Sequence, residues 1–193
     1  MLICDKYKFI FIHVTKAAGT SIEQTFRSDS FFSKRYVCAM DARNFVGQKK
    51  WEKYFKFAIV RNPWDKIVSM YRYRKKIGRI SKGLSFKKFI KLIDSAKIKH
   101  DDGRKHKFFT CNQLDCCVDE DGEVILDYIG RFEKLQKHWK YICRKIGKNR
   151  ILPHVKSSKK KKQKGYQTYY DDETKKLVAA RFSKDIEYFG YEF

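Results

Sequence analysis

Two runs of apolar and aromatic residues, each followed by a short polar turn, lie in the first third of the chain. The run Lys8 to Val14, "KFIFIHV", is almost continuous in β-prone side chains, a pattern typical of a strand buried on both faces of a parallel sheet. Phe55 to Val60, "FKFAIV", has the same character. We predict a helix after each run, the first from Thr20 or Ser21 with a hydroxyl cap and the second from about Trp64. The chain therefore repeats a strand, turn and helix unit.

Four further elements follow in the remaining two thirds of the chain. Ser85 to Ile93 predicts an amphipathic helix, Val124 to Ile129 a third strand that continues through Gly130 into a helix, and the segment from about Asp172 a last helix. The helix after Gly130 keeps its apolar residues at helical spacing: Leu135, Trp139, Ile142, Cys143 and Ile146. We expect one α/β domain over residues 1–193, with a mostly parallel central sheet of about four or five strands flanked by helices on both faces.

Composition supports a folded core and a strongly basic surface. The chain has 193 residues, of which 42% are hydrophobic and 16% aromatic, and its formal net charge is +23. Such a field attracts phosphate, sulfate and carboxylate groups, although solvated lysines account for most of the excess. The segment 156–165, "KSSKKKKQKG", is the densest in lysine and predicts a loop. Its run Lys159 to Lys162 is interpreted first as a solvated loop, with the rim of an acidic acceptor site or part of a cofactor lid as alternatives.

The six cysteines give no signal for a metal site, because they form no CxxC pair and have no histidine at zinc spacing. No metal is therefore expected. No signal peptide precedes the first strand, and no apolar run approaches the roughly 20 residues of a membrane helix. We predict a reduced, soluble, cytoplasmic protein, while the even cysteine count leaves an oxidising compartment open.

The turn after the first strand, "HVTKAAGTS", has the composition of an anion-binding loop. A strand that turns directly into a helix presents unpaired backbone N–H groups, and Gly19 lets a ligand approach them closely. Thr20 and Ser21 add hydroxyl donors, and Lys16 can reach over the turn to a phosphate oxygen. The loop differs from the common nucleotide-binding P-loop because its lysine precedes the glycine. The alternative is a strand-to-helix turn with an ordinary cap.

The second turn, "RNPWDKIVS", places Arg61 at the end of a strand and Ser69 about two turns into the next helix. Ligands of open α/β sheets bind at the carboxyl ends of the strands, so we expect Lys16 and Arg61 to face one crevice. An arginine there offers a phosphate two parallel hydrogen bonds. The alternative is that Arg61 caps the strand or pairs with an acid such as Asp65.

Both turns resemble motifs of a known enzyme family. "FIHVTKAAGTSIE" resembles the 5′-phosphosulfate loop of the carbohydrate sulfotransferases of sulfotransferase family 2, usually His-x-Pro-Lys-x-x-Gly-Thr-Ser. "FAIVRNPWDKIVSMYRY" resembles their 3′-phosphate motif, Arg-Asn-Pro-x-x-Arg-x-x-Ser-x-Tyr. "YIGRFEKLQKHW" and the ending "YYDDETKKLVAARFSKDIEYFGYEF" are similar to later blocks of the family. The resemblance covers nearly the whole chain in the expected order.

The resemblance implies a P-loop-like sulfotransferase fold and an enzyme that moves a sulfuryl group from 3′-phosphoadenosine 5′-phosphosulfate (PAPS) to an acceptor hydroxyl, with a carbohydrate as the expected acceptor. By resemblance, Lys16 is catalytic, and Arg61 and Ser69 contact the 3′-phosphate. A C-terminal loop that closes the nucleotide site in the family points to Ser158, Lys164 and Tyr166. The loop that binds the 5′-phosphosulfate comprises Lys16, Ala17, Ala18, Gly19, Thr20 and Ser21.

Three positions depart from the family pattern. Thr15 replaces a proline and Lys66 an arginine, and both changes are tolerable. The third departure is that "KRYVCAMDARNF", between the two motifs, lacks the histidine that often acts as the catalytic base. Asp41 is the nearest chemical substitute in that segment, although an aspartate in a turn is more often a backbone cap.

Histidines elsewhere in the chain give further candidates for the base. His100 and His106 are candidates if their segment folds over the site. His13 is interpreted as a structural residue beside the loop.

Two other functions remain open at this point. A small phosphotransferase would use a similar anion turn, but it needs a carboxylate for Mg²⁺ after a second strand, where this chain has Arg61. A non-catalytic or degenerate protein that binds nucleotide, glycan or another polyanion would explain the charge of +23. Among such polyanions, nucleic acid is a less favoured partner than a glycan.

Overall fold

The computed structural model describes residues 1–29, 31–34, 37–94, 111–149, 151–153 and 165–193. The chain divides into two compact units, the first made of Met1–Arg61 and Gln113–Lys160 and the second of Asn62–Asn112 and Lys161–Phe193.

Five strands and eight helices form within the described residues. The strands are β1 (Leu2–Cys4), β2 (Phe9–Ile12), β3 (Phe31–Ser33), β4 (Phe55–Val60) and β5 (Tyr128–Arg131). The helices are α1 (Gly19–Thr25), α2 (Ala39–Val46), α3 (Gln48–Lys53), α4 (Pro63–Lys76), α5 (Phe86–Asp94), α6 (Leu135–Lys145), α7 (Asp172–Arg181) and α8 (Ser183–Phe189). None of these helices is both long and apolar enough to cross a membrane.

The strands form one sheet in the first unit, in the order β3-β1-β2-β4-β5. β1 pairs antiparallel with both β2 and β3, whereas β2 with β4 and β4 with β5 are parallel pairs. The sheet is mixed, and the prediction of a mostly parallel sheet is wrong. β1 and β3 have three residues each, too short for an alternating pattern to reveal them in the sequence.

The parallel half of the sheet sets the positions of both motifs. Ile12 pairs with Ala58 and Val60 pairs with Arg131, so the carboxyl ends of β2, β4 and β5 lie at the same edge. β2 is fully buried along its length, as the continuous apolar run predicts. His13 and Arg61 directly follow β2 and β4 at this edge.

Aromatic rings form the core of the first unit. Phe9, Phe11, Phe26 and Phe57 are completely buried. The Phe9 and Phe26 ring centroids are 4.7 Å apart and those of Phe11 and Phe57 are 5.1 Å apart. Trp139 of α6 adds an edge contact to Phe26 at 6.1 Å, which fixes α6 against the sheet. Such pairs stabilise beyond the area that they bury.

The third strand lies later in the chain than predicted. The sequence favours Val124 to Ile129, but β5 is Tyr128–Arg131. Val124 forms an isolated bridge with Val118 instead, and the Asp127 carboxylate accepts the Lys56 backbone N–H at 2.7 Å. The apolar residues before Asp127 therefore pair with a loop, and the strand begins only after this carboxylate.

The start of α1 also differs from the prediction. The helix begins at Gly19, its N-cap is Ala18, and no side chain caps it. The predicted hydroxyl cap at Thr20 or Ser21 is wrong, because both residues already lie inside the helix.

The second unit is helical. α4 begins at Pro63, one residue before the predicted start, and α5 and α7 confirm the predicted helices from Ser85 and Asp172. Lys66 of α4, the position where the family motif has arginine, is only 1% exposed. Its ammonium lies 4.9 Å from the centroid of the Phe182 ring, which compensates part of the cost of burying the charge.

Candidate active site

The loop between β2 and α1 holds two residues in strained backbone conformations. Lys16 and Ala18 have φ angles of 65° and 64°. A residue with a Cβ in this left-handed region costs about 1–2 kcal/mol, and such conformations concentrate at ligand-binding sites. Turns with left-handed residues direct successive N–H groups into the concavities that bind anions. The loop thus contains left-handed residues of the kind found in anion-binding turns.

His13 supports this loop from inside the unit. Its Nδ1 lies 2.8 Å from Glu23 Oε1, and since a carboxylate only accepts, Nδ1 carries the proton and donates it. The two side chains are 18% and 19% exposed. A Cβ on Gly19 would lie 1.9 Å from Nε2 of His13, so the imidazole occupies the space beside this glycine. His13 lies beside the loop, as the sequence predicts.

Lys16 and Arg61 meet in the structure. The Arg61 guanidinium donates from Nη1 to the backbone carbonyl of Lys16 over 3.0 Å. The carboxyl end of β4 thus brings Arg61 within hydrogen-bond distance of the backbone of the loop after β2. It joins Arg61 to the loop at a residue with left-handed backbone geometry.

Two residues that the sequence analysis missed hold Arg61. Gln113 is 1% exposed, accepts the Arg61 backbone N–H through Oε1 at 3.0 Å, and donates from Nε2 to the Arg61 carbonyl at 2.7 Å. The Arg61 guanidinium carbon lies 4.1 Å from the centroid of the Phe132 ring. Phe132 stands inside the block "GRFEKL", but nothing in the sequence marks Gln113, which is fifty-two positions away from Arg61.

The Asn-Pro pair of the second motif begins α4 in the second unit. Asn62 Oδ1 accepts from the backbone N–H groups of Trp64 and Asp65, at 3.0 and 3.5 Å. Its Nδ2 donates to the Glu192 carbonyl at 2.7 Å and to the Tyr166 hydroxyl at 3.4 Å. Tyr166, predicted as part of a C-terminal lid, thus contacts the start of α4. Asn62, which belongs to the second motif, thus has a structural role.

Two other predicted site residues lie on helices. Ser69 is on α4 and is partly exposed. Asp41 is exposed in the first turn of α2 and lines a cavity of about 300 Å³. The other lining residues of this cavity are Met1, Lys34, Val37 and Phe45. Ser158, Lys164, His100 and His106 lie outside the described residues.

Positive charge also surrounds the end of β5. The pKa of His138 lies below its usual range, first because the imidazole is partly buried and then because Lys137, Arg131 and Lys134 are near. Its Nδ1 lies 2.6 Å from the Tyr128 hydroxyl, which donates to the neutral ring. The part of the chain that the structure describes contains no group of three or more histidine, cysteine, aspartate or glutamate side chains placed to hold a metal.

Comparison with known proteins identifies the class to which this fold and site belong. The model of the Sulfotransferase family (Sulfotransfer_2) matches residues 1–192, and the chain belongs to this family. An uncharacterized protein of Archaeoglobus fulgidus is 33% identical over 110 residues, which cover 54% of this chain and 78% of that protein. Membership supports sulfotransferase activity in general, and enzymes of the family generally use PAPS as the sulfate donor.

Proposed function

We propose that this protein transfers a sulfuryl group from PAPS to a hydroxyl group of a carbohydrate acceptor. The observation that supports the proposal is the hydrogen bond from Arg61, the first residue of the second motif, to the Lys16 carbonyl in the loop of the first motif; both residues lie in the first unit. The carbohydrate as acceptor class rests on the resemblance of these motifs to those of carbohydrate sulfotransferases.

The residues of the loop fit an anionic donor. Lys16 and Arg61 supply two cations, and the left-handed Lys16 and Ala18 shape the backbone between them. Strained backbone of this kind persists only where its surroundings hold it, and here Arg61 bonds to the Lys16 carbonyl. Bound PAPS would supply the sulfuryl group, and adenosine 3′,5′-bisphosphate would leave through its 5′-phosphate oxygen as the S–O bond breaks.

Lys16 stabilises the leaving group. Its ammonium offsets the negative charge that grows on the 5′-phosphate oxygen, and electrostatic stabilisation of this kind is usually the largest single contribution to such a transfer. The backbone N–H groups from Ala17 to Gly19 and the hydroxyls of Thr20 and Ser21 hold the phosphosulfate oxygens. The loop is the part of the site that acts on the reacting bond.

By motif position, Arg61 is assigned to the 3′-phosphate through its guanidinium, and Ser69 is assigned as a hydroxyl donor. Ser158, Lys164 and Tyr166 belong to the segment that covers the nucleotide. These assignments follow the motif positions.

A proton acceptor is needed for the acceptor hydroxyl as its oxygen bonds to sulfur. Asp41 takes this role in the proposal, because its carboxylate lies in the segment where related enzymes place their base and because it lines a cavity. Loss of a general base lowers the rate by about 10²–10⁴. Substitution of Asp41 by asparagine should therefore reduce turnover by that order without changing donor affinity.

The proposal is tested by incubating the protein with radiolabelled PAPS and a panel of glycans, with Lys16→Ala and Lys88→Ala variants alongside. Lys88 is exposed on α5 and serves as the matched lysine. We expect label transfer by the wild type and Lys88→Ala, and a loss of about 10²–10³ in rate for Lys16→Ala. Transfer of a phosphoryl group from ATP, or equal activity of both variants, would contradict the proposal.

A further inference from the structure

The backbone of Arg61 is held by a side chain instead of a neighbouring strand. β4 ends at Val60, which pairs with Arg131. One residue later, Gln113 presents an acceptor to the Arg61 N–H at 3.0 Å and a donor to the Arg61 carbonyl at 2.7 Å. Such a pair of hydrogen bonds to the N–H and carbonyl of one residue is the pattern that an adjacent strand would make. Gln113 therefore extends the ordered pairing of β4 by one residue, to the arginine itself.

The side chain of Arg61 is restricted at two further points. Its guanidinium lies over the Phe132 ring at 4.1 Å and donates to the Lys16 carbonyl at 3.0 Å. The contact with the ring and the hydrogen bond each restrict the positions that the guanidinium can take. Because a planar fork recognises phosphate through its orientation, these restraints bear directly on anion recognition.

We propose that Gln113 and Phe132 are positioning residues that hold Arg61 in the orientation that recognises the 3′-phosphate of the donor. The inference rests on the proposed function, and neither residue belongs to the two motifs that suggest it. Gln113 acts through the backbone of Arg61, and Phe132 acts through its contact with the guanidinium. Neither residue needs to touch the ligand.

The opposite end of β4 provides a matched comparison. The Asp127 carboxylate accepts the Lys56 backbone N–H at 2.7 Å, and the Asp127 N–H donates to the Lys56 carbonyl at 2.9 Å. Asp127 thus holds the beginning of the strand much as Gln113 holds the residue after its end. A residue that only stabilises the sheet should behave like Asp127 when it is replaced.

The readout is the ratio of the affinities for adenosine 3′,5′-bisphosphate and adenosine 5′-monophosphate, which differ only in the 3′-phosphate. We would measure it by titration for the wild type, Gln113→Met, Phe132→Leu and Asp127→Ala. We expect the ratio to fall about tenfold in Gln113→Met and Phe132→Leu and to stay within about twofold in Asp127→Ala. The affinity for the monophosphate should stay within about twofold in all four proteins.

Gln113→Met removes the hydrogen bonds of Gln113 to two partly buried backbone groups of Arg61 and risks misfolding, whereas Phe132→Leu keeps these bonds. If circular dichroism shows Gln113→Met to be unfolded, the affinity ratio of Phe132→Leu alone tests the inference. An unchanged ratio in the folded variants, or an equal fall in Asp127→Ala, would overturn the inference. A wild type that does not distinguish the two nucleotides would instead contradict the proposed function.

Discussion

At the scale of single residues, the loop after β2 is shaped by packing as much as by its ligand chemistry. Gly19 was expected to let a ligand approach the backbone, and the structure shows the His13 imidazole in the space that a Cβ would need. Glu23 fixes that imidazole through Nδ1. The glycine of the motif thus has a structural requirement of its own, which the sequence pattern alone does not reveal.

Replacement of Gly19 by alanine should destabilise the protein. The new Cβ would lie 1.9 Å from His13 Nε2, so the ring or the loop must move, at a cost of about 1–3 kcal/mol in the free energy of unfolding. Urea denaturation would measure this loss. The double variant His13→Ala/Gly19→Ala should lose less stability than the sum of the losses of the two single variants, because the clash is absent without the imidazole. Strictly additive losses would show that the two residues do not interact in this way.

At the scale of elements, the start of α4 depends on one side chain. Asn62 is 6% exposed, caps the helix through Oδ1 and donates to the Glu192 carbonyl. Asn62→Ala should lower the free energy of unfolding by about 2 kcal/mol, because it removes the cap and the donated bond together. Asn62→Ser keeps a capping oxygen and should lose about half as much. Urea denaturation of both variants would measure the difference. Equal losses would show that the cap does not contribute to the free energy of unfolding.

We predict that the stability of the protein depends on pH through His138 of α6. The pKa of His138 is lowered in the folded protein, so the unfolded chain binds the proton more readily. Stability due to this group is complete above its unfolded pKa of roughly 6.5 and decreases as the pH falls through that value toward the lower folded pKa. The variant His138→Asn, which keeps an acceptor near the Tyr128 hydroxyl, should lose less stability than the wild type between about pH 7 and pH 5. Parallel losses in thermal denaturation would contradict this origin.

The elements that the sequence predicts well are those with long, regular patterns. β4 and α5 follow from a continuous apolar run and from an amphipathic period, and α7 follows from the acidic residues at its start. β1 and β3 are too short to leave such a pattern. β5 begins later than predicted, after Asp127, whose carboxylate accepts the Lys56 N–H. The contact of Lys16 with Arg61 was predictable from the rule for strand ends. Gln113 was not, because it reaches Arg61 from a loop without any periodic or motif signal.

At the scale of the whole molecule, the net charge of +23 and the specific site predict different behaviour toward anions. A diffuse basic surface binds every polyanion, and its affinity falls steeply as salt screens charges beyond about 10 Å at 0.1 M. A built site distinguishes ligands by the positions of their phosphates. Membership in the sulfotransferase family favours the second behaviour.

The most direct measurement is calorimetric titration of the wild type, Lys16→Ala and Lys88→Ala with adenosine 3′,5′-bisphosphate and ATP at low and high salt. We predict that the wild type and Lys88→Ala bind the bisphosphate at least about tenfold more tightly than ATP and keep that preference in high salt. Lys16→Ala should lose affinity for the bisphosphate. Equal weak binding of both nucleotides by all three proteins, abolished by salt, would show that the basic surface and not the Lys16 loop binds anions.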